Sequence, residues 1–152
     1  MPALVERVSM KRSILIGAAT GILSQSGIAG IVTNTPPERL PKVMRSPWEK
    51  RIALVFAGGE ILSNAFISSL PPRTTPGPLL GRIVMGAGNA ALLAHVNRQS
   101  PAGSAVVGGA AAGISAIVAT KSRARFSKLL PDILFAITET VVSLGMAHTA
   151  TK

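Results

Sequence analysis

The sequence predicts an all-α fold, an integral membrane bundle of about five transmembrane helices. Five apolar windows lie at residues 13–33, 51–70, 79–98, 101–120 and 131–150. Each is close to the roughly 20 residues that a helix needs to cross a bilayer. Charged residues make up 14% of the chain against 47% hydrophobic residues, and the mean hydropathy is +0.44. The cations cluster between the windows, as in membrane loops. We therefore treat residues 1–152 as a single transmembrane domain.

The first window, residues 13–33, contains no charged residue. Gly17 and Gly21 are four residues apart, so they place two bare patches on one helix face and favour close helix packing. Ser24, Gln25 and Ser26 interrupt the middle of the window. This interruption leaves three interpretations open: a kink, an interhelical contact, or a first segment that is partly re-entrant.

The polar linker at residues 34–50 is rich in proline, which blocks a long helix. We expect part of it to lie flat in the headgroup region. Trp48, the one tryptophan of the chain, would be its anchor because an indole ring suits the membrane interface.

The second and third windows form an apolar hairpin joined by a proline-rich turn, and they contain polar residues where such groups are expensive. These residues are Glu60, Asn64, Arg82 and Asn89. A Glu60–Arg82 pair is one arrangement, and an Arg82 side chain that reaches the interface is the other. Gly86 belongs to a stripe of small residues in the third window.

The fourth window is rich in glycine and alanine, and Gly109 and Gly113 repeat the spacing that favours helix packing. A basic loop follows, a candidate site for lipid headgroups; its cations are Lys121, Arg123, Arg125 and Lys128. The fifth window begins at a proline and an aspartate, both of which favour a helix N-terminus. Glu139 lies near its middle.

Straight helices would bring Glu60, Asn89 and Glu139 to a similar depth in the membrane. Such a layer could pass protons or bind a cation, since carboxylates in membranes commonly mark a pathway. Alternatively, these groups only hydrogen-bond neighbouring helices. Five crossings place the termini on opposite sides, and the distribution of Lys and Arg favours a cytoplasmic N-terminus in a bacterial inner membrane.

The chain resembles a family of small bacterial integral membrane proteins of unknown function, over nearly everything from residue 16 to residue 147. The resemblance rests on residues 17–30, Glu60, Pro72-Arg73-Thr74, Leu80-Gly81-Arg82-Ile83-Val84 with Gly86, residues 108–113, and Pro131-Asp132 before Ala136 and Glu139. Positions that are charged in the family pattern are neutral here: Leu23, Asn64, Ala65 and Thr140. The resemblance implies a helical membrane fold, and the neutral positions imply a scaffold without those charges.

Several classes of activity lack their usual sequence signals. The chain has no cysteine and no histidine pair with metal spacing, so we expect no metal site and no cofactor. Phosphate-loop and nucleophile motifs are missing, which predicts that the protein is not an enzyme. Nucleic-acid binding is not expected either, because aromatic platforms are scarce and the cations lie between apolar windows.

The leading prediction is therefore a non-enzymatic accessory or structural subunit of a larger membrane complex, or a homo-oligomer. Its partners would be other membrane subunits or copies of itself. One alternative is a small proton- or cation-coupled transporter or channel that uses the carboxylates. Another is a protein that binds anionic phospholipids through the basic loop.

Overall fold

The structure, a computed structural model, describes residues 2–66, 72–126 and 131–152, with the side chains of residues 2–8 and 65–66 left out. Within these ranges the fold is all-α, as predicted. The α-helices are α1 Pro2–Ile22, α2 Ser26–Asn34, α3 Pro47–Phe66, α4 Pro76–Val96, α5 Pro101–Phe126 and α6 Asp132–Thr151. Two short 3-10 turns, Pro37–Arg39 and Lys42–Met44, occupy the linker between α2 and α3.

Helix starts follow the chemistry of the first turn. Pro47, Pro76 and Pro101 are the first residues of α3, α4 and α5, where a proline sacrifices no intrahelical hydrogen bond. Asp132 begins α6 and places a carboxylate at the positive end of its dipole. These residues fix where the long helices begin.

Contacts between small residues give the relative directions of α1, α4 and α5. Gly86 abuts Ala112, and Ala90 abuts Gly108, so α4 and α5 run antiparallel. Gly17 abuts Gly108 while Gly21 abuts Ala112, so α1 runs in the same direction as α5.

Helix α2 runs in the opposite direction to α1. Arg123 near the end of α5 lies 3.4 Å from Asp132 and 3.9 Å from Glu139, so the first two turns of α6 fold back along α5 and the two helices are antiparallel. Ser26 meets Ser143, and Gly30 approaches Ala147, so α2 runs with α6. Helices α1 and α2 therefore form an antiparallel hairpin, which we call the α1–α2 hairpin, with residues 23–25 at its tip.

The base of this hairpin lies at the same end of the bundle as the linker, which we call the linker end. Leu40 of the linker packs into one apolar core with Ile16 and Ile31 from the two arms of the hairpin. Leu93 and Val96 near the end of α4 belong to the same core. The ends of α2 and α4 and the start of α5 thus share the linker end, and the tip points away from it.

The prediction of five crossing helices is corrected by this arrangement. In the described residues, three helices are long and apolar enough to span a membrane: α4, α5 and α6. Residues 13–33 form the two arms of a hairpin instead of one continuous helix. Helices α1 and α3 each carry four charged residues, which lowers their hydropathy below that of a typical span. Residues 67–70 of the second window lie outside the described residues.

Small and polar side chains are frequent inside the bundle, and many large apolar ones lie on its outside. Ser143, Thr20 and Ala116 are fully buried, whereas Val106 and Val55 are 74% and 72% exposed. Exposed valine, leucine, isoleucine and phenylalanine side chains continue along α3, α4, α5 and α6. A soluble monomer rarely exposes so large an apolar surface, so this distribution is typical of helices that face lipid.

Candidate functional site

The tip of the α1–α2 hairpin is the most polar place inside the bundle. Helix α1 ends at Ile22 and α2 begins at Ser26, because Ser26 hydrogen-bonds the Leu23 carbonyl through both its backbone nitrogen (3.1 Å) and its hydroxyl (2.7 Å). Such a turn leaves carbonyls at the end of α1 and N–H groups at the start of α2 without helical partners. Buried groups of this kind need partners from elsewhere in the chain.

Glu60 of α3 binds the start of α2. Its Oε1 accepts hydrogen bonds from the Ser24 backbone nitrogen at 2.8 Å and from the Ser24 hydroxyl at 2.7 Å. Its Oε2 accepts a bond from the Gln25 backbone nitrogen at 2.8 Å. A carboxylate at this position meets both the free N–H groups and the positive end of the helix dipole.

Arg82 of α4 binds the end of α1. Its Nη1 donates to the carbonyls of Gly21 and Ile22 at 3.0 and 3.1 Å, and its Nη2 donates to Glu60 Oε1 at 3.2 Å. The Arg82 and Glu60 side chains are only 11% and 15% exposed. One ion pair therefore supplies hydrogen-bond partners to both interrupted helix ends. The negative carboxylate meets the N–H groups at the start of α2, and the positive guanidinium meets the carbonyls at the end of α1. Of the two arrangements that the sequence left open for Arg82, the structure contains the pair.

A second ion pair lies nearby and joins four segments. Arg73 makes a bidentate contact with Glu139 of α6, with distances of 3.0 and 2.6 Å. Arg123 of α5 lies 3.9 Å from Glu139 and donates to the Asn64 carbonyl at 3.2 Å. Arg82 is within electrostatic range of both Arg73 and Glu139, so the two ion pairs form one charged cluster.

Neutral polar groups line the hairpin itself. The Ser143 hydroxyl lies 2.9 Å from the Ala19 carbonyl and 2.7 Å from the Ser26 hydroxyl. Asn89 donates to the Thr20 hydroxyl at 3.0 Å. These contacts hold α6 against both arms of the hairpin and α4 against α1.

No family model matches the chain, no curated protein matches it, and no solved structure matches it. The residues of the site are therefore the basis for the proposed function.

The polar residues that the sequence singled out do not form an unpaired layer. Glu60 binds Arg82, Glu139 binds Arg73, and Asn89 binds Thr20. Asn64 offers its carbonyl to Arg123, whereas its side-chain Nδ2 is buried without a hydrogen-bond partner in the described part of the chain. The described residues contain no group of three or more His, Asp or Glu that could hold a metal ion.

The glycines singled out for packing lie where helices approach closely. A Cβ on Gly17, Gly21 or Gly86 would overlap the backbone or side chains of α5. At Gly109 and Gly113 a Cβ would sit 3.3 Å from Ala87 Cβ and 3.2 Å from Ile83 Cγ1. All five therefore face the contacts among α1, α4 and α5.

The cations of the basic loop differ in their surroundings. Lys121 and Arg125 are exposed at the end of α5, whereas Arg123 turns inward to Asn64 and Asp132. Lys128 lies outside the described residues. Trp48 is 63% exposed in the first turn of α3. The structure thus leaves Lys121, Arg125 and Trp48 facing outward.

From the sequence, Arg73 was named only within the motif of the family resemblance and was given no role in a site, and the groups that donate to Glu60 were not identified. Arg73 lies in a proline-rich turn, where a cation reads as an ordinary loop residue. Ser24 and Gln25 were noted as an interruption, but their backbone N–H groups carry most of the contact with Glu60. A signal was present, because an interrupted apolar window leaves helix ends that need charged partners.

Proposed function

We propose that this protein is a non-enzymatic integral membrane protein that acts through helix packing, as an accessory subunit of a larger membrane complex or as a homo-oligomer. The main support for this proposal is that side chains of the protein itself bind the helix ends at the hairpin tip. In many transporters, broken helix ends at mid-membrane bind the substrate or ion. Here Glu60 and Arg82 fill those positions with the protein's own charges, as a structural lock does.

In this proposal α4, α5 and α6 cross the membrane and the α1–α2 hairpin is a re-entrant element. Helix α3 is a fourth crossing despite its four charged residues, because Val55 and Phe56 give it an apolar outer face. Non-helical backbone is tolerated at membrane depth where protein buries it and supplies its hydrogen bonds. The tip meets this condition through Glu60, Arg82 and Ser26. The apolar outer surface supports the same arrangement.

Charge supports an orientation with the linker end in the cytoplasm of a bacterial inner membrane. Within the described residues, the segments at the linker end carry ten Lys and Arg residues, whereas those at the opposite end carry four outside the buried Arg82. The ten are Arg7, Lys11, Arg12, Arg39, Lys42, Arg45, Lys50, Arg51, Arg98 and Lys152. Cytoplasmic loops carry such an excess, so the N-terminus would be cytoplasmic.

Exposed glycines support a role in assembly. Gly59, Gly81, Gly88 and Gly103 are exposed, and a Cβ at each would have no neighbour within 4 Å. Bare backbone offers lipid little contact area, whereas it lets another helix approach closely. We assign these faces to a second copy of the chain or to another membrane subunit.

Purification in native membrane particles tests the assembly role. We expect the tagged chain to elute with stoichiometric partners or as a defined oligomer. Gly88→Leu should dissociate the assembly without unfolding the chain, because the new side chain meets open space. Val141→Leu is the control, since it enlarges a side chain that is 66% exposed on α6, a helix that carries none of these four glycines. A wild-type chain that runs alone as a monomer contradicts the proposal.

A second candidate function is proton- or cation-coupled transport. The interrupted hairpin favours it, because half-helices that meet inside a membrane are typical of transporter sites. The charged cluster also continues from the tip to Asp132, which is 66% exposed. Flux in liposomes that is abolished by Glu60→Gln, with the fold intact, would select this function over the structural one.

A further inference from the structure

We infer that a basic cleft at the linker end is a binding site for a phosphate group. The cleft lies between the linker and the end of α4, is partly open, and has a volume of about 720 Å³. Its lining includes the cations Arg39, Arg45 and Arg98, the carboxylate Glu38, and His95. The lining therefore carries a formal charge of +2 with the histidine neutral.

Arg45 is held in place by the linker itself. Its Nε donates to the Leu40 carbonyl at 2.8 Å and its Nη2 to the Glu38 carbonyl at 3.3 Å. Leu40 is 1% exposed and anchors the linker in the core. Carbonyls fix the guanidinium without cancelling its charge, so the cation is positioned but not neutralised.

Arg98 reaches the cleft from an unusual backbone conformation. It has a φ of 57°, and it is the one non-glycine residue with a positive φ among those described. Asparagine and glycine adopt this conformation more readily than arginine. Arginine at a positive φ costs backbone strain energy that glycine or asparagine would lower. The turn alone therefore does not account for an arginine at position 98.

The end of α4 does not need these side chains as caps. The Leu93 carbonyl accepts bonds from the Asn97 backbone and side chain. The carbonyls of Ala94 and His95 accept bonds from the backbone nitrogens of Gln99 and Arg98. In the described part of the chain, the side chains of Arg39, His95 and Arg98 have no hydrogen-bond or ion-pair partner.

Phosphate is the ligand chemistry that this lining fits. The guanidinium fork matches two phosphate oxygens, and a concave surface concentrates the field of the three arginines that line it. Two sources share the chemistry: the headgroup of an anionic phospholipid and a free phosphorylated solute. The lipid source rests on the proposed membrane location, whereas binding of free phosphate does not.

The test compares two double variants of equal charge. Arg39→Gln with Arg98→Asn removes two cleft cations, and asparagine suits the positive φ. Lys42→Gln with Lys50→Gln removes two cations of the same end that do not line the cleft. Each protein is examined in nanodiscs of phosphatidylcholine with or without phosphatidylglycerol, by native mass spectrometry of retained lipid. Thermal unfolding is then followed in inorganic phosphate against chloride at equal ionic strength.

We expect the cleft variant to bind about tenfold more weakly than the wild type, and the control variant to bind like the wild type. Loss of retained phosphatidylglycerol identifies a lipid headgroup as the ligand. Loss of a phosphate-dependent rise in the unfolding temperature identifies a free phosphate group. Equal binding by all three proteins, absence of binding by the wild type, or equal loss in both variants overturns the inference. If the protein is not in a membrane, phosphatidylglycerol retention fails for all three while the phosphate arm still decides.

Discussion

The Glu60 carboxylate and the Arg82 guanidinium lie 3.2 Å apart, and each also binds a different end of the broken helix pair. The ion pair comes from α3 and α4, whereas the ends belong to α1 and α2. Because the pair is largely buried, removal of one partner leaves the other charge without a neutralising group.

Replacement of Glu60 should strongly destabilise the fold. We expect Glu60→Gln to lower the free energy of unfolding by about 3–5 kcal/mol, the usual cost of breaking a buried ion pair. Thermal or denaturant unfolding in detergent measures it. Glu38→Gln is the control, because that side chain makes no ion pair within the described residues. Equal stability of Glu60→Gln and the wild type would contradict a structural role for the Glu60–Arg82 ion pair at the hairpin tip.

The two charges should also be coupled energetically. A double-mutant cycle of Glu60→Gln and Arg82→Gln should give a coupling energy of about 0.5–3 kcal/mol, since residues in direct contact rarely act additively. Unfolding free energies of the four proteins measure it. As a reference cycle, Glu60→Gln with Arg125→Gln should be additive because Arg125 is exposed at the end of α5. Additivity in both cycles counts against the pair.

Alanine at Gly17 and at Gly145 should have effects of opposite sign. A Cβ on Gly17 would overlap the Gly108 backbone, so Gly17→Ala should separate α1 from α5 and cost about 1–3 kcal/mol. Gly145 lies inside α6 with open space around it, so Gly145→Ala should stabilise by about 0.5–1 kcal/mol. Unfolding temperatures of the two variants test this, and a shared sign would refute the packing geometry.

Single-cysteine labelling should find Lys11, Lys42 and Lys152 on one side of the membrane. The chain has no cysteine of its own, so each introduced thiol reports one position. In the proposed topology these three lie at the linker end and Lys121 lies at the opposite end. An impermeant maleimide added to intact cells and to inverted vesicles separates the sides. Five crossings would instead place Lys11 and Lys42 on opposite sides.

Sequence patterns were sufficient for the long helices and insufficient for the hairpin. Windows 79–98, 101–120 and 131–150 correspond to Pro76–Val96, Pro101–Phe126 and Asp132–Thr151. Apolar length and helix-start residues carry that information. Apolar length does not show whether a segment crosses the membrane or turns back, because the composition of the window is the same in both cases. Only residues Ser24–Ser26 indicated an interruption, and the sequence alone left three interpretations of it open.

The ion pairs were less predictable than the helices for a geometric reason. The sequence-based windows began at residues 51 and 79, whereas α3 and α4 start at Pro47 and Pro76, so the depth of Glu60 relative to Arg82 was offset. A guanidinium also spans several ångströms and can bridge such an offset. Arg73 could not be assigned to Glu139 at all, because 66 residues separate the two in the chain.

The order of synthesis gives the hairpin tip a particular place in biogenesis. Ser24 leaves the ribosome 36 residues before Glu60, and Gly21 leaves 61 residues before Arg82. In the proposed topology, the polar backbone of the tip has neither of these partners until α3 and α4 have been inserted. The two amino-terminal arms would then dock onto side chains that are synthesised after them.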